Sequence, residues 1–171
     1  MLDLEVETLT PALIEETIPH QQQYWEEVAG PFHCFPPDVD WPTYLKAQEI
    51  GRLRVIVGRA DGALKAGAFV LIGPHPHYAC VLASLPLLFV HPDYRKGREG
   101  LRLVKRAEEE GAKAGAQLMM THGGVHNGVY RLFEAMKYED FGRYFVKVIG
   151  STEPVFKPKQ FLDIPIIVGG E

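Results

Sequence analysis

The longest apolar run of the chain, Ala79 to Val90, is interrupted only by Ser84 and Pro86 and is closed by Pro92. It is too short to cross a bilayer, which takes about 20 apolar residues. It is also too continuous for a strand with one wet face. The run therefore predicts a strand buried on both faces, inside a sheet that carries helices on either side. A basic, glycine-containing turn, Tyr94-Arg95-Lys96-Gly97-Arg98-Glu99-Gly100, follows it. From Gly100 to Gly115, Leu101, Val104, Ala107, Gly111 and Ala114 then recur at the spacing of one helix face.

The remaining segments fit around this strand, turn and helix. Leu2 to Thr8 alternates like a half-buried first strand, and Thr10-Pro11 is an N-cap with proline at the first helical position. A helix to about Ala29 is expected to bury Leu13, Ile14, Ile18, Trp25 and Val28, with Pro19 kinking or splitting it. Gly30 to Pro42 reads as a loop and Thr43 to Gly51 as a second helix. Leu53 to Arg59 and Gly67 to Ile72 form a hairpin around the Asp61-Gly62 turn, and Gly73 to Tyr78 turns into the long apolar strand. Gln117 to Thr121 is a short buried strand, Asn127 to Lys137 a helix and Tyr138 to Ile149 a last strand.

The expected fold class is thus α/β, with the order β-α-α-β-β-β-α-β-α-β. Hairpins followed by a strand–helix–strand crossover give a mixed, mostly antiparallel central sheet with helices on both faces. Residues 1–150 make one domain; residues 151–171 form a tail whose apolar Ile164-Pro-Ile-Ile-Val168 packs on the domain or on a partner subunit, which makes a homodimer the expected assembly.

Composition narrows the function. With 171 residues, 46% hydrophobic and a net charge of −4, the chain is globular rather than disordered, and it lacks the overall basic footprint of a nucleic-acid binder. No export signal or membrane span is read, so a cytoplasmic location with Cys34 and Cys80 reduced is expected, Cys80 buried and inert in the core strand.

The chemistry gathers at the basic turn. The first N–H groups of a helix lack internal partners and the helix dipole is positive there, so the helix start is an anion site. Arg95, Lys96, Arg98 and Arg102 add four cations, and a pyrophosphate is the natural guest. A solvated basic helix start is the plain alternative. Neither a P-loop nor a Gly-x-Gly-x-x-Gly fingerprint is present; only Gly97-x-x-Gly100 is.

Val90-x-Pro-x-Tyr-Arg-x-Gly-x-x-Gly at the end of a core strand resembles the acetyl-CoA loop of the GNAT N-acetyltransferases. The element order, His126-Asn127 opening the last helix, and Phe133-Glu-Ala-Met-Lys-Tyr138 extend the resemblance over most of the chain. It is nearest to a subgroup common in phage genomes, through Tyr24-Trp25-Glu26-Glu27-Val28, His77-Tyr78 and Tyr94 to Leu103.

The resemblance implies acetyl transfer from acetyl-CoA to a primary amine, by direct attack in a ternary complex and without a metal. It implies that pantetheine pairs with backbone at Phe89 and Val90 and that Leu88 to Val90 supply oxyanion donors. The pyrophosphate would lie on Arg95, Lys96, Gly97, Arg98, Glu99, Gly100 and Leu101, flanked by His126, Asn127 and Tyr130. Three positions depart from the family: Arg98 replaces the first motif glycine, Phe133 stands where many members carry a thiolate-protonating tyrosine, and Lys137 replaces a glycine. Tyr130, one turn before Phe133, is the candidate substitute acid.

For the base, Glu26 or Glu27 and His75 or His77 remain open, each against a structural reading as solvated helix face or turn cap. Glu27 and His77 are the leading choices. His75-x-His77 and His122-x-x-x-His126 are not read as a metal site, because neither cysteine has ligand spacing. Trp25 and Trp41 read as anchors, and Glu108-Glu109-Glu110 as a solvated helix face. The rival function is a non-catalytic CoA-binding or interaction module.

Overall fold

A computed structural model describes residues 1–29, 34–35, 37–124, 127–142 and 146–150. Its elements are β1 (Asp3–Glu7), α1 (Pro11–Val28), α2 (Trp41–Glu49), β2 (Leu53–Ala60), β3 (Ala63–Pro74), β4 (Val81–Val90), α3 (Glu99–Lys113), β5 (Leu118–Thr121) and α4 (Tyr130–Ala135). The sheet order is β1-β2-β3-β4-β5; β1 to β4 pair antiparallel, and β5 joins β4 in parallel after the α3 crossover. Helices cover both faces. On one face α3 and α4 bury Leu103, Val104, Ala107 and Phe133 against Ile56, Ala68 and Val70. On the other, α1 and α2 bury Leu13, Ile14 and Trp41 against Val55, Val57 and Phe69.

Local chemistry explains the boundaries. Thr10 Oγ1 accepts from Leu13 N at 3.2 Å and Asp40 Oδ1 from Thr43 N at 3.3 Å, so α1 and α2 each begin behind a side-chain cap with proline in the first turn. Asp61 and Gly62, with φ of 50° and 79°, give the β2–β3 hairpin the left-handed turn that matches strand twist. Arg59 ties three elements together: it donates to Glu7 on β1 at 2.8 and 3.1 Å and to Glu16 on α1 at 2.5 and 3.1 Å.

Two register breaks shape the sheet. Opposite Gly58 and Arg59, Lys65 is an extra residue in β3, so Leu64 and Ala66 fall on opposite faces. In β4, Leu71 pairs with Ser84 but Phe69 pairs with Leu87, so Leu85 and Pro86 together oppose Val70. Ala83 and Leu85 face α3 before this bulge, and Leu88 and Val90 face it afterwards.

Several expectations change. Pro19 neither ends nor splits α1, and Ile18 is 47% exposed because the helix turns Thr17, His20 and Tyr24 toward the sheet instead. Strand β5 is an edge rather than a buried strand, with Leu118 and Met120 exposed. Residues 138–142 and 146–149 form no strand; 143–145 and the tail 151–171 lie outside the described residues. Cys80 precedes β4 in the turn and is half-buried. The glutamate run is not one solvated face. Glu110 is buried between Arg106 and Lys113, and Glu108 is half-buried beside Tyr138, whose hydroxyl is held above its ordinary value by burial first and then by Glu108; only Glu109 points to solvent.

Helix α4 ends in a Schellman turn. Tyr138 N donates to Phe133 O and Lys137 N to Glu134 O, both at 3.0 Å, and the Phe133 and Tyr138 rings pack 5.3 Å apart. Lys137 sits at the left-handed position with φ 68°. A β-carbon there costs about 1 kcal/mol relative to glycine. Lys137→Gly is therefore expected to raise stability by roughly that amount in urea melts.

Glu16 titrates below the ordinary carboxylate value of 4.5, chiefly through the Arg59 hydrogen bond, opposed by burial. A folded-state value below the unfolded one makes its contribution complete above about pH 4.5 and lost as pH falls through the folded value. Melts of Arg59→Met against wild type between pH 6 and pH 3 are expected to show a shallower acid loss in the variant.

Candidate functional site

The bulge at Leu85-Pro86 separates β4 from its neighbour. Parallel pairing with β5 covers only Leu82–Leu85 against Leu118–Thr121, so the second half of β4 has no β5 partner. His91 N donates to Lys65 O at 2.7 Å. Because antiparallel pairs alternate, Phe89 also presents its backbone to β3, whereas Leu88 and Val90 present theirs to the vacated side. The expected backbone pairing thus moves: Leu88 and Val90 face the gap, and Phe89 does not. Its side chain, 7% exposed, packs under α1.

The chain then passes through a single 3-10 turn, Pro92–Tyr94, into the loop and α3. Arg98 is the N-cap residue of α3, and no side chain caps the helix. Arginine has no acceptor to offer, so the N–H groups of the first turn stay open to an external anion. Arg95, Lys96, Gly97 and Arg98 are exposed, and Gly100 and Leu101 are half-buried. At Gly97 an added β-carbon would meet nothing within 4 Å, so protein packing does not require glycine there.

Two of the four expected cations are already engaged. Arg102 donates to the Leu2 carbonyl at 2.9 Å and to Glu99 at 2.6 Å, and Glu99 is turned inward with its side chain 11% exposed. Arg102 thus belongs to the framework, while Glu99 contributes its backbone to the helix start. Arg95 donates from Nε to the Val90 carbonyl at 2.6 Å and from Nη2 to Glu27 at 2.8 Å. The structure therefore brings the expected base and an expected phosphate cation together. Glu27 is engaged at both oxygens, since Gln23 Nε2 donates to the other at 3.0 Å. Glu26 accepts from Gln22 on the solvent side.

His77 is not near this end of β4. It is exposed in the β3–β4 turn, and nine residue steps of strand separate Val81 from Val90, roughly 30 Å. His75 caps that turn, accepting from His77 N at 3.1 Å and packing on Tyr78 at 4.7 Å. On the other side of the gap, Tyr130 opens α4 half-buried, its hydroxyl accepting from Arg131 at 3.2 Å. Asn127 lies in the turn before it, with its side chain accepting from Val129 N; His126 lies outside the described residues. Gly123 lets α4 come this close, because a β-carbon there would stand 2.7 Å from Tyr130 Cα. Phe133 is 6% exposed in the core and reaches no opening. The anchors are as expected: Trp41 is buried against Phe69, and Trp25 donates to the Phe35 carbonyl at 3.0 Å.

Sequence reasoning singled out Glu27 and quoted Tyr24 but missed His20 and the stripe the three share. His20, Tyr24 and Glu27, spaced i, i+4, i+7, form a stripe of α1 laid along the open end of β4. His20 packs 5.1 Å from Phe89 and 5.9 Å from His91, Tyr24 lies 6.4 Å from Phe89, and Glu27 holds Arg95. Burial raises the Tyr24 hydroxyl above its ordinary value, assisted by Tyr44 and opposed by a hydrogen bond with the Leu88 backbone. Titratable residues at helical spacing were the available signal. For the bulge, it was a proline inside a strand-like run.

No family model matches the chain, and neither does any curated protein. Solved structures do. A ribosomal-protein-alanine N-acetyltransferase from Brucella melitensis biovar Abortus 2308 is 14% identical, with 88% of this chain and 100% of that chain covered at a TM-score of 0.65. A transcriptional regulator from Bacillus halodurans C-125 is 14% identical over 87% and 100%, at 0.68. The aminoglycoside acetyltransferase AAC(6')-Iy, in complex with the bisubstrate analog CoA-S-monomethyl-acetylneamine, is 17% identical over 88% and 99%, at 0.65. The chain has the α/β fold of these proteins, the GNAT fold.

Arg102 and Arg98 should separate experimentally. Arg102→Ala strands a buried Glu99 carboxylate and is expected to cost about 1–3 kcal/mol in urea unfolding. Arg98→Ala, at an exposed position, is expected to change stability by less than about 0.5 kcal/mol.

Proposed function

We propose that the chain is an acetyl-CoA-dependent N-acetyltransferase acting on a primary amine. The observation that carries this reading is the uncapped start of α3, reached through an exposed basic loop from a strand whose Leu88 and Val90 backbone faces an empty strand position. The uncapped helix suits a pyrophosphate, and the vacated edge suits the amide-bearing arm of CoA, which completes the sheet as a missing strand would. In this reading the Leu88 N–H exchanges its Tyr24 partner for the thioester carbonyl and its developing oxyanion, a contact typically worth about 3 kcal/mol.

Attack is direct, within a ternary complex. The amine nitrogen adds to the thioester carbon, the carbonyl pair moves to oxygen, the added nitrogen gives up a proton to solvent, and collapse expels the CoA thiolate. A thiol of ordinary pKa about 8.5 leaves readily near neutral pH, so the buried Phe133 does not forbid the step. In this reading Tyr130, at the opening of α4, flanks the cofactor. Glu27 acts here as a positioning residue for Arg95. The neighbours named for aminoglycoside and ribosomal-protein amines support an amine acceptor as the class. The likeness to the phage-borne subgroup rests on the Tyr24 to Val28 and Tyr94 to Leu103 residues themselves.

Acetyl-CoA and CoA are expected to raise the melting temperature. A hundredfold excess over Kd adds about 2.7 kcal/mol, roughly 5–10 °C for a chain of this size. Arg98→Ala should weaken that shift while leaving the unliganded melt unchanged. Thioester consumption with a panel of amines separates an enzyme from a non-catalytic CoA-binding module. A melt unmoved by millimolar acetyl-CoA in ligand-free protein would overturn the reading.

A further inference from the structure

The side of β4 that β5 leaves open is not bare. Val90 turns its carbonyl to that side, and Arg95 Nε donates to it at 2.6 Å. The same guanidinium donates from Nη2 to Glu27 on α1 at 2.8 Å, and Gln23 Nε2 holds the other Glu27 oxygen at 3.0 Å. Arg95 therefore stands where an amide of an added strand would donate, and it is pinned there from the neighbouring helix. The other exposed cations of the loop differ. Lys96 and Arg98 make no side-chain hydrogen bond or ion pair among the described residues, so their charge is uncommitted.

We propose that Arg95, pinned by Glu27 over the Val90 carbonyl, is the residue that confines the acyl donor to thioesters carrying phosphates. This rests on the acetyltransferase reading above. An arm that pairs with β4 uses the Val90 carbonyl as acceptor for one of its amide N–H groups, and it must take that carbonyl from Arg95. A donor with a pyrophosphate gives the displaced guanidinium a charge-assisted, forked contact in exchange. A thioester of the same arm without phosphates leaves Arg95 with no new partner, so its binding carries the full loss of the Val90 contact.

The geometry suits such an exchange. The side chains of Arg95 and Glu27 are 40% and 31% exposed, so water screens their attraction and the pair holds the guanidinium without locking it. The planar fork of arginine lets one side chain reach the strand edge and the helix together. Arg95 also lies on the loop that leads to Arg98, the N-cap residue of α3, whose first turn no side chain caps. It thus stands between the strand edge that takes the arm and the helix start that takes the pyrophosphate. Of the loop cations, Arg95 is the one whose release from the edge and capture by phosphate are a single event.

The test is calorimetric binding of CoA and of pantetheine, the same arm without phosphates, to wild type, Arg95→Ala and Glu27→Gln, with unliganded melts reporting folding. Arg95→Ala is expected to weaken CoA roughly tenfold and to tighten pantetheine about threefold or more, since the Val90 carbonyl has lost its donor. Glu27→Gln keeps the guanidinium for the phosphates and loosens its hold on the edge. It is expected to tighten pantetheine about twofold or more and to leave CoA no weaker than in wild type. Pantetheine binding that is unchanged, weakened or undetectable in Arg95→Ala overturns the assignment while leaving the acetyltransferase reading intact; where that variant does not fold, the same result in Glu27→Gln does so. Arg95→Ala that binds CoA as tightly as wild type overturns it too. Glu27→Gln that weakens CoA shows instead that Glu27 aims Arg95 at the phosphates, which also overturns it. Wild-type protein that binds no CoA brings down the acetyltransferase reading, and the role of Arg95 with it.

Discussion

The register break at Leu85 and Pro86 decides more of this molecule than any other local feature. A proline cannot donate to a ladder, so the chain absorbs it as a bulge, and β4 leaves the line that β5 follows. From that point the Leu88 and Val90 backbone has no strand partner on the β5 side, where Arg95 takes the Val90 carbonyl, and the sheet acquires an opening beside β4. The same break reverses the faces, turning Leu88 and Val90 onto the α3 side and Phe89 onto the α1 side. Without it, the basic loop would stand at the end of an ordinary parallel pair, with an anion site and nowhere for the rest of a ligand to lie.

Much of this could be read from the residues, because the signals were local. The capped starts of α1 and α2, the Asp61-Gly62 hairpin and the spacing of Val104, Ala107 and Gly111 are all short-range, and each element appears within a few residues of its expected bounds. The anion site was legible for the same reason: a helix start and its cations are adjacent in sequence. What could not be read were relations across the sheet. Arg102 looked like a fourth phosphate ligand until Leu2 and Glu99, its partners, were placed beside it. Glu110 looked solvated because its burial depends on how α3 meets the sheet. Ile18 is exposed and His20 half-buried because the face α1 turns to Phe89 and His91 depends on how the helix meets the sheet.

Polar contacts between elements are concentrated along α1. Glu16 reaches β2 through Arg59, His20 and Tyr24 reach β4, and Glu27 reaches the loop before α3. One helix therefore spans from the hairpin side of the sheet to the cofactor loop, held by apolar packing at Leu13 and Ile14 in its first turns and by directional polar contacts afterwards. Such a division suits a wall that must stay in register yet present chemistry. Apolar contacts tolerate small slides, whereas hydrogen bonds and rings fix which side chain faces the gap.

The Arg102 contact also has a dynamic meaning. Strand β1 is the edge of the sheet farthest from β5, yet the carbonyl of Leu2, just before it, is held by the side chain that also holds Glu99 at the first turn of α3. Fraying of that edge removes a partner from Arg102, and loosening of the helix start removes one from the edge. Peripheral strand and anion loop thus share a single opening event, so the loop inherits a protection against local unfolding that its exposed, glycine-bearing sequence would not provide.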